Sequence, residues 1–290
     1  MSLCKDNMDN PFVFKGYVDS EHFCDRQKEL EILLHCLANN VNVTLVAQRR
    51  MGKTGLIYRL VDELKSLNSE YTPIYVDIYA TRNMADLNKT LADAILATYP
   101  EGTSIGKRFM KFIKGLRPMI GFDPLSGAPQ VQVSYQDDTE KINTLESLLR
   151  FLEQQPQPVL LAIDEFQQIT NYPEKNIEAV LRTHIQALSN TQFIFAGSER
   201  QLLEEMFLES SRTFYNSADI QSLDIIEEEK YCEFVQYHFN EHNKQILSET
   251  ISYVYHLFEG NTFYNQKTFR EAFAQTAQGD VCSPEMGDGS

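Results

Sequence analysis

The chain has 290 residues, of which 42% are hydrophobic and 23% are charged. This length and balance are typical of a globular protein with one large domain and a small appended one. Its 26 basic and 41 acidic residues give a net charge of −15, which argues against broad, nonspecific nucleic-acid binding. No apolar run is long enough to span a membrane, no secretion signal is recognisable, and the five scattered cysteines form no C-x-x-C pair. We therefore expect a cytoplasmic protein with reduced thiols.

An N-terminal lead-in over residues 1–20 precedes a predicted core domain over residues 21–225. The pattern of apolar residues predicts the first elements of this core as follows: a helix opened by Asp25, a buried strand at Val43–Val46, a second helix from Gly55, a strand at Pro73–Ile78 and a helix at Met84–Thr98.

Residues 104–138 are expected to form an insertion in this core. A helix at Ile105–Leu116 carries several basic residues and is followed by a hairpin with strands at Met119–Phe122 and Gln130–Tyr135. The basic residues are Lys107, Arg108, Lys111, Lys114 and Arg117. A solvated face is the default interpretation, while contact with nucleic acid or with an acidic face of a partner stays open.

The second half of the core repeats the alternation of strands and helices. The predicted elements are a helix at Glu140–Gln154, a strand at Val159–Ile163, a helix at Ile177–Leu188, a strand at Phe193–Ala196 and a weaker strand at Ile220–Ile225. Such alternation predicts an α/β fold with a parallel sheet. From residue 226 to 278 the apolar spacing is helical only, which predicts a small helical domain, and residues 279–290 are expected to be a disordered tail.

The segment between the first strand and the helix that follows it is the strongest functional signal. A buried strand, a tight loop ending in Gly-Lys-Thr and a helix are the context that a phosphate-binding P-loop requires. The residues expected to surround a nucleotide are Gln48, Arg49, Arg50, Met51, Gly52, Lys53, Thr54 and Gly55. Lys53 would reach the β- and γ-phosphates, and the Thr54 hydroxyl would bind Mg²⁺. The pattern usually opens with glycine, and Ala47 stands there instead.

Two acidic residues, Asp164 and Glu165, end the most apolar strand in the chain. Ligands of parallel sheets bind at the carboxyl ends of strands, so Asp164 would hold Mg²⁺ through water, and Glu165 would accept a proton from the attacking water or orient it. An N-cap role for Asp164 is the alternative.

Polar and basic residues follow the next strand. Ser198 would hydrogen-bond the γ-phosphate or the attacking water, and a capping box at Ser198–Gln201 is a compatible alternative. Arg200 and Arg212 are candidates for an arginine that stabilises the transition state, in cis or in trans, although a surface ion pair is the simpler explanation for each.

The chain resembles the prokaryotic AAA+ ATPases of the signal-transduction (STAND) branch, often called archaeal-type ATPases. The segments that carry this resemblance are Phe23–Leu30, Gln48–Thr54, Leu160–Gln167, Phe195–Ser198 and Glu259–Tyr264.

The resemblance implies a three-layer αβα P-loop NTPase core with parallel strand order 5-1-4-3-2, counted in chain order. It further implies ATP with Mg²⁺, the P-loop as the Walker A motif, Asp164 and Glu165 as the Walker B motif, and a C-terminal helical lid that closes on the nucleotide. Asp25 and Arg26 match a helix-start pair near the adenine site. No arginine finger is matched, which puts assembly into an active ring in doubt, and the winged-helix domain with which members often continue would begin where this sequence stops.

The function expected from these features is ATP binding and hydrolysis that drives lid closure and so regulates a partner, with self-association as one form of that partnership. Three alternatives stay open: a regulatory scaffold that holds ATP with little turnover, a nucleic-acid-associated ATPase that uses the Lys107–Arg117 patch, and a small-molecule kinase.

Overall fold

The computed structural model describes residues 10–14, 16, 21–114, 118–122, 129–133 and 135–282. The helices within these residues are α1 (Gln27–Ala38), α2 (Lys53–Ser66), α3 (Met84–Thr98), α4 (Ser104–Lys114), α5 (Asp138–Glu153), α6 (Ile177–Gln186), α7 (Arg200–Leu208), α8 (Glu228–Glu241), α9 (Ser248–Leu257) and α10 (Thr262–Gln275). The strands are β1 (Val43–Ala47), β2 (Thr72–Asp77), β3 (Pro118–Phe122), β4 (Pro129–Val133), β5 (Val159–Asp164), β6 (Thr191–Gly197), β7 (Asp219–Leu223), β8 (Gln245–Ile246) and β9 (Val281–Cys282). A 3₁₀ helix at Phe166–Asn171 follows β5.

The chain divides into two compact units. The sheet unit comprises residues 33–47 and 63–222, and the helical unit comprises residues 1–32, 48–62 and 223–290. The loop after β1 therefore groups with the C-terminal helices, although β1 itself belongs to the sheet.

The sheet unit contains a five-stranded sheet with the order β2-β5-β6-β1-β7. The pairs β2–β5, β5–β6 and β1–β6 are parallel. When only the strands of this sheet (β1, β2, β5, β6 and β7) are numbered 1 to 5 in chain order, the order read from the β7 edge is 5-1-4-3-2. The predicted strand order is therefore confirmed. The three central strands are buried along their whole length, as their uninterrupted apolar sequences indicate, whereas the edge strands are only partly buried.

Aromatic rings fill the core on the α6–α7 side of the sheet. The rings of Phe166, Phe195, Phe207 and Phe214 lie with centroids 4.6 to 6.0 Å apart. The predicted insertion also contributes to the core, since the ring of Phe109 on α4 is fully buried 4.8 Å from Phe151 on α5. The insertion's hairpin forms as expected, with β3 and β4 antiparallel, and Arg117 lies outside the described residues.

The helical unit has its own core, and its centre is a residue of the N-terminal lead-in. Phe12 is fully buried, with ring centroids 5.8 Å from those of Phe239 and Phe273. The side chain of Arg270 donates to the Phe12 carbonyl at 3.2 Å. Burial raises the pKa of the neighbouring Cys24 thiol, which therefore packs as a neutral, apolar group. The lead-in thus supplies core to the C-terminal helices.

Several element boundaries differ from the sequence expectation. Asp25 does not open α1, which begins at Gln27, because Asp25 and Arg26 both have left-handed backbone with φ of 54° and 69°. Helix α5 begins at Asp138, two residues before the predicted start at Glu140. The reason is that Asp137 caps the helix, since its carboxylate accepts from the Glu140 peptide N–H. Strand β9 forms within residues 279–290, where it pairs with β8.

Gly197, at the end of β6, is a position where a side chain has no room. A Cβ atom there would lie 2.1 Å from Gln167 Oε1 and 2.6 Å from Leu203 Cδ1, and both of these residues are buried. We predict that Gly197→Ala lowers the free energy of unfolding by about 1–3 kcal/mol, measured by urea denaturation. The matched control is Gly102→Ala, because a Cβ at Gly102 meets no atom within 4 Å. Equal unfolding midpoints for the two variants would contradict this packing.

Candidate functional site

The phosphate loop runs from Gln48 to Gly52, between the end of β1 and the start of α2. Gly52 has φ of 88°, a left-handed conformation that favours glycine. Lys53 and Thr54 form the first turn of α2, so the loop leads into a helix N-terminus, which attracts anions. Ala47, where the usual pattern has glycine, is the last residue of the strand and is not among the residues with positive φ. Its methyl group is therefore compatible with the loop.

Arg50 joins this loop to the first turn of α10 within the helical unit. Its carbonyl accepts from the Phe263 peptide N–H at 3.2 Å, and its guanidinium donates to the Tyr264 hydroxyl. The guanidinium carbon also lies 4.7 Å from the centre of the Phe263 ring and 5.2 Å from that of Tyr264, within the range of cation–π attraction. Next to it, Asn261 Nδ2 lies 3.9 Å from Met51 Sδ. The loop thus contacts α10 through both backbone and side chains.

Arg26 ties the segment before α1 to the same loop. Its guanidinium donates to Glu29 Oε1 at 2.8 Å, to the Met51 carbonyl at 3.4 Å and to the Asp224 carbonyl at 2.5 Å. Arg26 is only 4% exposed, so these three bonds take the place of hydrogen bonds that its guanidinium would otherwise make to water. Of the two residues predicted to lie near adenine, Arg26 thus stabilises the phosphate loop through its bond to Met51, and Asp25 is exposed.

Asp164, in the sheet unit, ends β5 with a carboxylate that is held from two sides. Oδ2 accepts from the Tyr75 hydroxyl at 3.0 Å, and Oδ1 accepts from the Glu165 peptide N–H at 2.9 Å. Asp164 is 3% exposed, and in the register of the sheet it lies opposite Asp77 of the neighbouring strand β2. Tyr75 was missed by the sequence reasoning, because a tyrosine in a β-branched run carries no signal beyond strand propensity.

Glu165 has left-handed backbone with φ of 57°, a conformation that costs energy in a residue other than glycine. Its Oε2 accepts from Gln167 Nε2 at 2.6 Å and from Ser198 Oγ at 2.8 Å. Two of the predicted catalytic residues, Glu165 and Ser198, are thus in direct contact. Gln167 lies in the segment Leu160–Gln167 that carries the family resemblance, and its spacing two residues after Glu165 is the sequence signal for this contact.

The capping alternatives for these polar residues are wrong. The N-cap of α7 is Glu199, which makes no side-chain capping bond, and the hydroxyl of Ser198 is directed to Glu165 instead. The 3₁₀ helix after β5 likewise has Glu165 at its N-cap without a side-chain capping bond.

The two candidate arginines after β6 have different surroundings. Arg200 pairs with Glu204 one helical turn away at 2.7 Å, and its side chain is 50% exposed, as expected of a surface ion pair. Arg212 lies beyond the end of α7, where its Nη2 is 3.5 Å from Glu178 Oε1, and its side chain is 34% exposed. Its Nε atom is buried without a hydrogen-bond partner.

The donors expected to bind a metal ion fit Mg²⁺, which typically takes one or two protein ligands and keeps phosphate oxygens and water for the rest. The buried Asp164 carboxylate, in the sheet unit, and the Thr54 hydroxyl, in the helical unit, are each an oxygen donor of the type that Mg²⁺ prefers. Within the described ranges, no three or more His, Cys, Asp or Glu side chains cluster to form a self-sufficient metal site. None of the described helices is both long and apolar enough to cross a membrane.

Comparison with known proteins places this geometry in context. Residues 23–264 match a family described as an ATPase domain predominantly from Archaea. The fold is similar to that of the Walker-type ATPase PABY2304 of Pyrococcus abyssi, with a TM-score of 0.64, 21% identity, and coverage of 91% of this chain and 72% of that one. No curated protein sequence matches the chain.

Two further structures share the fold. They are the Aeropyrum pernix ORC1 protein in complex with DNA (TM-score 0.58, 15% identity, 87% of this chain) and Cdc6p of Pyrobaculum aerophilum (TM-score 0.58, 12% identity, 90% of this chain). The chain spans 60% and 63% of those two proteins, respectively.

We predict that Arg26→Gln lowers the free energy of unfolding by about 2–4 kcal/mol, because Glu29 loses its buried partner and two carbonyls lose a charged donor. Urea denaturation measures the effect. The control is Arg150→Gln, which removes an arginine whose side chain is 66% exposed and is paired only with Glu146 on the same helix. Similar losses in both variants would show that Arg26 does not brace the loop.

Proposed function

The chain belongs to a family of ATPase domains found predominantly in Archaea, and we propose from that premise that it is a nucleotide-driven switch. In this proposal the phosphate loop binds the triphosphate of ATP, and the occupied loop changes the position of α10. Hydrolysis then returns the helix to its first state, and the two states regulate a partner.

The contact between Arg50 and α10 carries this proposal. Arg50 lies in the loop that would surround the phosphates, and the same residue bonds to Phe263 and Tyr264 at the start of α10. A triphosphate carries negative charge that competes with the two aromatic rings and the tyrosine hydroxyl for the guanidinium. ATP and ADP differ by one phosphoryl group, so they differ in this competition. A ligand shifts a conformational equilibrium only through such a difference.

The proposed chemistry assigns one role to each residue. Lys53 would neutralise charge on the β- and γ-phosphates, and Thr54 and Asp164 would hold Mg²⁺, which would supply further charge stabilisation to the phosphates. Glu165 orients the attacking water and accepts its proton, and the bonds from Gln167 and Ser198 to Oε2 fix the position of its carboxylate. Ser198 is thereby a positioning residue, and Arg212 would act in trans on the nucleotide of a neighbouring copy.

The second candidate is a scaffold that holds ATP with little turnover. The observation that favours it is the same pair of bonds on Glu165, since an Oε2 atom that already accepts from Gln167 and Ser198 is occupied and cannot also accept from a water molecule without losing one of them. Tight ATP binding with negligible phosphate release would support the scaffold over the switch.

We predict that Glu165→Gln lowers the steady-state rate of phosphate release by at least about 100-fold, because the amide cannot accept the proton of the attacking water. Calorimetry is expected to show unchanged ATP affinity. The control is Glu199→Gln at an exposed position two residues after β6. Equal hydrolysis rates for wild type and Glu165→Gln would remove Glu165 from the mechanism.

We predict that Arg50→Ala uncouples α10 from the nucleotide. Hydrogen–deuterium exchange of residues 262–275 is expected to differ between ATP-bound and ADP-bound wild type, and this difference should fall to less than half in the variant. Arg49→Ala removes an equal charge from the same loop and serves as the control. A difference that persists in Arg50→Ala would place the coupling elsewhere.

A further inference from the structure

The helical unit carries an acidic groove between α8 and α9. The groove has a volume of about 970 Å³ and is lined by both helices. Glu228, Glu229 and Cys232 lie on the α8 side, and Glu249, Tyr253 and Leu257 lie on the α9 side. Lysine and arginine are absent from the residues that line it. Among the described residues, the one ion pair of these carboxylates joins Glu228 to His256 at 3.1 Å, and it forms only when that histidine is protonated. Lys230, which does not line the groove, also interacts electrostatically with Glu229.

The groove also exposes apolar surface. Tyr253 is 61% exposed and Leu257 is 57% exposed, values well above those of most large apolar residues in the chain. Exposed apolar side chains bordered by carboxylates are typical of a surface that binds a positively charged helix through its long side chains. Lysine and arginine stems cover apolar surface while their charged ends reach acidic groups, and an arginine also stacks on a tyrosine ring.

The chain itself provides a helix of this kind. Lys107, Arg108 and Lys111 share one exposed side of α4, and none of the three forms an ion pair with any described residue. The opposite side of α4 is fixed in the core of the sheet unit through Phe109 and Ile113, which are 0% and 1% exposed. The three cations are therefore presented by a helix that cannot rotate away.

The two surfaces are similar in length and opposite in charge. Helix α9 has 10 residues and α4 has 11, so both extend over about 15–17 Å at 1.5 Å per residue. Helix α4 carries three exposed cations, and the groove carries three carboxylates. In a chain with a net charge of −15, a second copy is repelled over most of its surface, and α4 offers a local region of opposite charge.

We propose that α4 of one copy docks into the α8–α9 groove of a second copy. Each copy carries one helix and one groove, so the association is head-to-tail and joins two different surfaces. The interface depends on charge, and salt weakens it. This inference stands apart from the proposed switch, because neither surface includes a residue assigned to ATP binding or hydrolysis.

Charge reversal on the full chain tests the proposal. The first variant carries Lys107→Glu and Lys111→Glu, and the second carries Glu229→Lys and Glu249→Lys. Sedimentation analysis of wild type at low salt is expected to show a mass that rises with concentration. Each variant alone should associate at least about ten-fold more weakly, because like charges now meet. An equimolar mixture of the two variants should regain association, since the intact helix of the second variant then meets the intact groove of the first, and the reversed helix of the first meets the reversed groove of the second.

Two controls and three outcomes complete the test. Lys175→Glu and Glu70→Lys change exposed charges outside both surfaces and should leave association unchanged, and circular dichroism checks that all variants fold. A wild type that stays monomeric up to its solubility limit would overturn the proposal, whatever other basic partner the groove accepts. Association of the single variants at wild-type strength would also overturn it. So would a mixture that fails to regain association, because the two faces would then not meet.

Discussion

The parallel pairing of β1, β6 and β5 is the constraint on which the sheet unit depends. Parallel strands need crossover helices, and these helices bury both faces of the central strands. The same pairing brings the carboxyl ends of β5 and β6 to one edge, where Glu165 and Ser198 come within hydrogen-bond distance of each other. The polar contacts at that edge are therefore a consequence of strand order, and the buried strands hold them in place.

The helical unit depends on a different kind of contact. Helices α8 and α10 pack against Phe12, and the phosphate loop is held by Arg26 and by α10. Fixing the conformation of the loop costs backbone entropy, and the contacts of the two arginines offset part of that cost. Arg26 braces the loop through buried bonds, whereas Arg50 is exposed and able to exchange partners. That difference in burial is why Arg50, and not Arg26, is suited to couple nucleotide to helix.

Much of this arrangement follows from sequence patterns. The uninterrupted apolar run at Val159–Ile163 and its acidic end indicate a central strand and its functional edge, and the fold class and strand order agree with the structure. The Gly-Lys-Thr loop could be found because each of its residue types has a physical reason to be there. Contacts between distant segments could not be found in this way. No local pattern indicates that Phe12 packs on α10 or that Tyr75 bonds to Asp164, because these contacts arise only when the chain has folded.

The central claim is that the phosphate loop at Gln48–Gly52, together with Lys53 at the start of α2, binds a triphosphate. Titration calorimetry of Mg²⁺–ATP against wild type and Lys53→Met tests this claim most directly. The expected result is one binding site per chain in wild type and at least about ten-fold weaker binding in the variant, because the lysine is the main cation for the β- and γ-phosphates. Equal affinities in the two proteins, or no ATP binding by the folded wild type, would contradict it.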